Sequence, residues 1–127
     1  MTEENAKRLI EACRNDIIKA TEVIEKYEGD KEKEFSRGYW GGRKNQAQDF
    51  LRAMIEMGVK IEPDKALMTE AEILMPKVGL WCSHEINRTL SYYRDAFKQN
   101  NLERAIMNEL SLRRFVLKGR LELAKNL

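Results

Sequence analysis

The stretch Ser36-Arg37-Gly38-Tyr39-Trp40-Gly41-Gly42-Arg43-Lys44 holds the residue types best able to do chemistry in this chain. Arg37, Arg43 and Lys44 flank two aromatic rings, a mixture that holds nucleic-acid backbone and stacks bases, or anchors a protein interface. Gly38, Gly41 and Gly42 each weaken a helix by about 1 kcal/mol relative to alanine, so their presence needs a reason. Packing supplies one: the glycines let a neighbouring helix come close or mark a bend, while Tyr39 and Trp40 fill nearby volume. Recognition supplies the other, with a protein partner favoured over nucleic acid.

A second basic set comprises Arg113, Arg114, Lys118 and Arg120. On a helix Arg113 and Arg120 line up two turns apart and Arg114 and Lys118 one turn apart, so the four make no single compact face. They read as a solvated rim opposing the negative end of a helix, with a phosphate or acidic-partner site as the alternative. Arg88 lies near Trp81 and Tyr92, which fall off the apolar seam of their helix and form either a second core layer or an exposed partner patch.

Cys82-Ser83-His84-Glu85 invites a metal or nucleophile reading, but spacing opposes it. Cys82 and His84 point to different sides of a helix, and the chain has no second histidine to complete a zinc set. His84-Glu85-Ile86-Asn87-Arg88 opens like a zincin motif and then places Arg88 where the second ligand must be. A Cys and His pair without a placed third group gives no acyl-transfer machinery. No catalytic residue, metal site or cofactor is expected.

The elements that must position these residues are helices. Ala6, Ile10, Cys13, Ile17, Ala20, Ile24 and Tyr27 alternate in steps of four and three, an apolar stripe along a helix from about Thr2 to Glu28. Thr2 can cap it, and Gly29-Asp30 gives a stop and a new cap. A second helix spans about Lys31 to Met57, with Ala47, Phe50, Leu51, Met54 and Ile55 as its apolar face, and ends at Gly58-Val59. Residues 59–68 read as an aperiodic connection. Thr69-Glu70-Ala71-Glu72 is a capping box stapled by Met68 and Ile73, and Pro76 then kinks that helix or opens a fresh one. Cys82, Ile86, Leu90, Tyr93 and Phe97 carry a third long helix to about Lys98, and Asn100 caps the last. That helix shows Leu102, Ile106, Leu110, Leu117, Leu121 and Ala124 on one side and Ala105, Leu112, Val116 and Leu123 beside it. A stripe so wide asks for at least two neighbours or a second subunit.

The expected fold is all-α, a single domain over residues 1–127: a four-helix bundle built from two antiparallel hairpins, about 2–58 and 69–127, with dimerisation as the alternative way of completing it. At 127 residues the chain needs no disulfide, and Cys13 and Cys82 on apolar stripes read as reduced core thiols. The net charge of +2 argues against bulk coating of nucleic acid, although residues 35–60 carry five basic side chains against two acidic ones. The first residues lack an export signal, and no stretch reaches bilayer-spanning length, which predicts a cytoplasmic protein that makes no membrane contact.

In general style the chain resembles small, highly charged helical accessory proteins of phages and mobile elements, although no motif specifies a family. The expected function is therefore a non-enzymatic interaction protein, an adaptor or inhibitor, that self-associates and engages a larger protein through Arg37, Tyr39, Trp40, Arg43, Lys44, Arg88, Arg113, Arg114 and Arg120. A nucleic-acid-binding module is the alternative. A binder of a small anionic ligand such as a nucleotide ranks third.

Overall fold

The computed structural model describes residues 2–125, which are helical with no strand among them. Five α-helices form, one more than the periodicity predicts: α1 (Glu3–Lys26), α2 (Glu34–Glu56), α3 (Lys65–Leu74), α4 (Leu80–Lys98) and α5 (Leu102–Lys125). They are divided between two compact units, the first ending at Ile61 and the second starting at Glu62. No helix among the described residues is long and apolar enough to cross a membrane.

In the first unit the Thr2 hydroxyl accepts the Asn5 amide at 3.1 Å, and Glu3 and Glu4 oppose the positive end of α1. The expected seam faces inward, with Ala6, Ile10, Ile17 and Ala20 buried and Cys13, Ile24 and Tyr27 half-buried. Gly29 takes the left-handed conformation (φ +81°) that ends the helix, and Asp30 caps a single 3-10 turn, Lys31–Lys33, before α2. Arg37 bonds Ile24 and Arg43 bonds Asp16, so partners run in opposite directions and the pair is antiparallel. Ala47, Leu51 and Met54 form the buried stripe of α2. Phe50, expected beside them, is exposed instead, because α2 carries apolar residues on two sides and only one is covered. Gly58 (φ +88°) closes α2 with bonds from Val59 to Met54 and from Gly58 to Ile55, a Schellman arrangement.

The second unit differs from the expected hairpin. Helix α3 starts at Lys65, inside the expected connection, capped by the Asp64 carboxylate on the Leu67 amide at 3.1 Å. The Thr69–Glu72 sequence lies within that helix and caps nothing, while Leu67, Ala71 and Leu74 are its buried stripe. Pro76 sits in a 3-10 turn, Met75–Lys77, and α4 begins afresh after Gly79. No local side chain caps α4; the Glu122 carboxylate from α5 takes the Gly79 amide at 3.1 Å. Asn100 adopts φ +55° and ends α4, leaving Asn101, not Asn100, to cap α5 through the Arg104 amide. Bonds from Cys82 to Phe115 and from Tyr93 to Glu109 show that α4 and α5 are antiparallel. Helix α5 packs on both α3 and α4, as its wide stripe requires. Its Ala105, Leu112 and Val116 join Leu67, Ala71 and Leu74 from α3 and Cys82, Ile86, Leu90, Tyr93 and Ala96 from α4 in one core.

Candidate functional site

Helix α2 is continuous through the glycine-rich stretch, so the glycines mark no break. A Cβ built on Gly38, Gly41 or Gly42 meets nothing within 4 Å, which overturns close packing against α1 as their reason. The glycine that close packing does require is Gly119 on α5, where a Cβ would lie 2.8 Å from Leu74 Cδ2 and 3.2 Å from Val78 Cγ1.

Arg43 is the centre of the cluster on α2. Its Nη2 donates to both Asp16 oxygens at 3.1 and 3.0 Å and its Nη1 to the Tyr39 hydroxyl at 3.2 Å. The guanidinium also stands 5.2 Å from the Trp40 ring centre, and Trp40 meets Tyr39 edge to face with centroids 5.5 Å apart. The Tyr39 hydroxyl, and after it Asp16, pushes the guanidinium pKa up, so Arg43 remains a cation whose charge is already matched. Tyr39 is exposed and Trp40 half-buried. Arg37 turns away from the cluster and donates to the Ile24 carbonyl at 3.1 Å, one of the carbonyls left over at the end of α1. Lys44 is half-buried on the same helix.

In the second unit the basic set does not form a solvated rim. Arg113 reaches Asp64 at 2.6 Å and Glu109 at 3.4 Å with only 10% of its side chain exposed. Arg120, two turns on, pairs with Glu70 of α3 at 3.1 Å. The stagger expected of these two residues thus points both at α3, which they fasten to α5. Arg114 is exposed. Asp64, Tyr93, Glu109 and Arg113 close a buried polar network: the Tyr93 hydroxyl accepts the Asp64 amide at 2.8 Å and donates to Glu109. Glu109 is missing from the apolar pattern of α5 but occupies its gap, four residues after Ala105 and three before Leu112, and this spacing is the signal that would have found it.

On α4, Trp81, Arg88 and Tyr92 share one outward face at intervals of seven and four. Trp81 and Tyr92 are exposed, which settles them as surface patch and not second core layer. Arg88 pairs with Glu85 at 2.6 Å and stands 5.9 Å from the Tyr92 ring; Glu85 is the main cause of its raised pKa. Lys118 stands 5.9 Å from Trp81, whose ring meets Phe115 edge to face. Leu80 is almost fully exposed beside Trp81. A cleft of about 780 Å³ at the turn between α4 and α5 is lined by Tyr92, Asp95, Arg104 and Met107 among others.

Both cysteines are free thiols. Burial first, then Asp16, pushes Cys13 up; burial and Glu122 push Cys82 up against the opposing pull of Lys118. Cys82 is buried and donates to the Phe115 carbonyl, whereas His84 is exposed, so the two face different sides as their spacing requires. Among the described residues no three His, Cys, Asp or Glu side chains converge as a metal site.

Comparison with family models, with curated proteins and with solved structures found no match.

Proposed function

We propose that the chain is a non-enzymatic helical interaction protein, of adaptor or inhibitor type, whose α4 face of Leu80, Trp81, Arg88 and Tyr92 docks on a larger protein. The observation that carries this reading is the pairing of aromatic rings with cations that already have carboxylates: Arg88, beside Tyr92, with Glu85, and Arg43, beside Tyr39 and Trp40, with Asp16. A guanidinium matched within its own chain has little charge to offer a phosphate, whereas a large ring held in place beside it is a typical anchor of a protein interface. The same pairing makes nucleic acid the weaker alternative. A small anionic ligand is weaker still, because a nucleotide would have to compete with those carboxylates. Cytoplasmic location and an origin in a phage or mobile element belong to the same proposal, as does the expected bundle of helical hairpins.

The test is affinity capture from the native host with the full chain and with a Trp81→Ser, Arg88→Glu double variant, at low and moderate salt. The reading expects a protein recovered at both salt concentrations by the wild type and lost by the variant. Recovery of nucleic acid that vanishes at moderate salt supports the alternative and overturns the reading. A protein captured equally by the variant removes the α4 face.

A further inference from the structure

The uncovered side of α2 carries a second stripe. Phe35, Tyr39, Gly42, Gln46, Phe50, Ala53 and Met57 recur at intervals of four, three, four, four, three and four. All seven are exposed, Phe35 by 87%, Met57 by 69%, Tyr39 by 53% and Phe50 by 43%. Residues eleven apart recur almost in line on an α-helix, so the stripe runs straight along α2. Its intervals read the same from either end, with Gln46 at the midpoint.

We infer that this stripe is a self-association surface and that its occupant is α2 of a second copy of the chain, antiparallel, on a two-fold axis through Gln46. Symmetric pairing places a patch against itself, so the patch must match its own reversal. This one does: Phe35 comes level with Met57 of the second copy, Tyr39 with Ala53, Gly42 with Phe50, and Gln46 with Gln46. Large side chains meet small ones at the inner levels. Phe50 of one copy enters the space framed by Tyr39, Gly42, Arg43 and Gln46 of the other, and that space exists because Gly42 has no side chain. A parallel pair would set Phe50 on Phe50 and leave Gly42 facing Gly42, crowded at one level and empty at the other.

Area agrees with this occupant, and the like charges that it brings together are each already paired within their own chain. The two-fold brings both Arg43 residues to one flank and both Asp49 residues to the other. Each Arg43 arrives neutralised by Asp16, and each Asp49 stands 3.5 Å from Arg52 of its own helix. Two Gln46 amides can bond each other, and a polar pair in an apolar seam fixes register. At about 200 Å² for a whole large side chain, the open fractions of Phe35, Tyr39, Phe50 and Met57 give on the order of 1,000 Å² for two copies, the size at which an interface becomes specific. The inference stands on α2 and fails or holds independently of the α4 face.

Sedimentation equilibrium of the full chain, from about 1 to about 100 µM, tests it. The wild type should pass from monomer to dimer. Gly42→Leu, at a position where a Cβ meets nothing within 4 Å, should not lower the melting temperature at low concentration and should weaken the dimer at least about tenfold. Phe35→Asp, at a nearly fully exposed position, should weaken it without affecting the fold. For register, an equimolar mixture of Phe35→Cys and Met57→Cys chains should cross-link under mild oxidation, whereas Phe35→Cys alone should not. A wild type that stays monomeric, a dimer indifferent to both Gly42→Leu and Phe35→Asp, or efficient cross-linking of Phe35→Cys to itself would each overturn the inference.

Discussion

Tyr93 and Glu109 meet at 2.5 Å across the α4–α5 interface, both buried, with the tyrosine hydroxyl also accepting the Asp64 amide that opens α3. One phenol thus ties together three helices that follow one another along the chain. Tyr93→Phe removes the hydroxyl and leaves a carboxylate oxygen and a backbone amide each short of a partner in a poorly solvated place. The expected loss is about 1–3 kcal/mol of stability, read by chemical denaturation. Tyr92→Phe, one residue away and exposed, should leave stability unchanged; equal effects of the two would mean that the network contributes nothing.

Arg113 supplies the cation of that network. Arg113→Met keeps the length of the side chain but leaves the carboxylates of Asp64 and Glu109, the second of which is only 8% exposed, without this cation. Breaking a buried pair from one side costs about 3–5 kcal/mol, whereas Arg120→Met, which removes a half-exposed bridge to Glu70, should cost no more than about 1 kcal/mol. Melting curves of the two variants decide the matter, since a solvated Arg113 would make them alike.

How much of this was legible follows from the range of each signal. The stripe of α1, its Thr2 cap and the Gly29 stop are local, and they were readable from residue types alone. The start of α3 was placed too late because its stripe has only three members, Leu67, Ala71 and Leu74, and because Thr69–Glu72 imitates a start that Asp64 in fact provides. Phe50 was misplaced because α2 has two apolar stripes, and only tertiary contact determines which is covered. Arg113 looked like surface because its partner Asp64 is 49 residues away. Trp81 and Tyr92 could be placed off the seam, but their exposure depended on whether another helix covered them.

The glycines give a prediction opposite to the one their sequence suggests. With open space at its Cβ position, Gly41→Ala removes backbone freedom from the unfolded chain at no steric cost, and should raise stability by about 0.5–1 kcal/mol. Gly119→Val instead forces a side chain against Leu74 and Val78, where Leu74 is held in the core, and should lower stability by about 1–3 kcal/mol through overpacking. Melting temperatures moving in opposite directions would bear this out. A fall for Gly41→Ala would restore packing as the reason for the glycine cluster.

The thiols carry the pH prediction. Burial raises both Cys13 and Cys82, so the folded chain keeps those protons at pH values where the unfolded chain, with thiols near about 8.5, has begun to lose them. The folded state then binds more protons than the unfolded one, and stability that is complete below that value is lost as pH rises towards the raised folded values. Removing both thiols, by Cys13→Ala with Cys82→Ala, should flatten this alkaline loss while lowering stability at neutral pH through the missing core volume. Since the thiolate is the reacting form, iodoacetamide at pH about 8 should label the folded chain far more slowly than the same chain in denaturant. Equal labelling rates, or an alkaline loss that persists without the cysteines, would show that burial does not hold these thiols protonated.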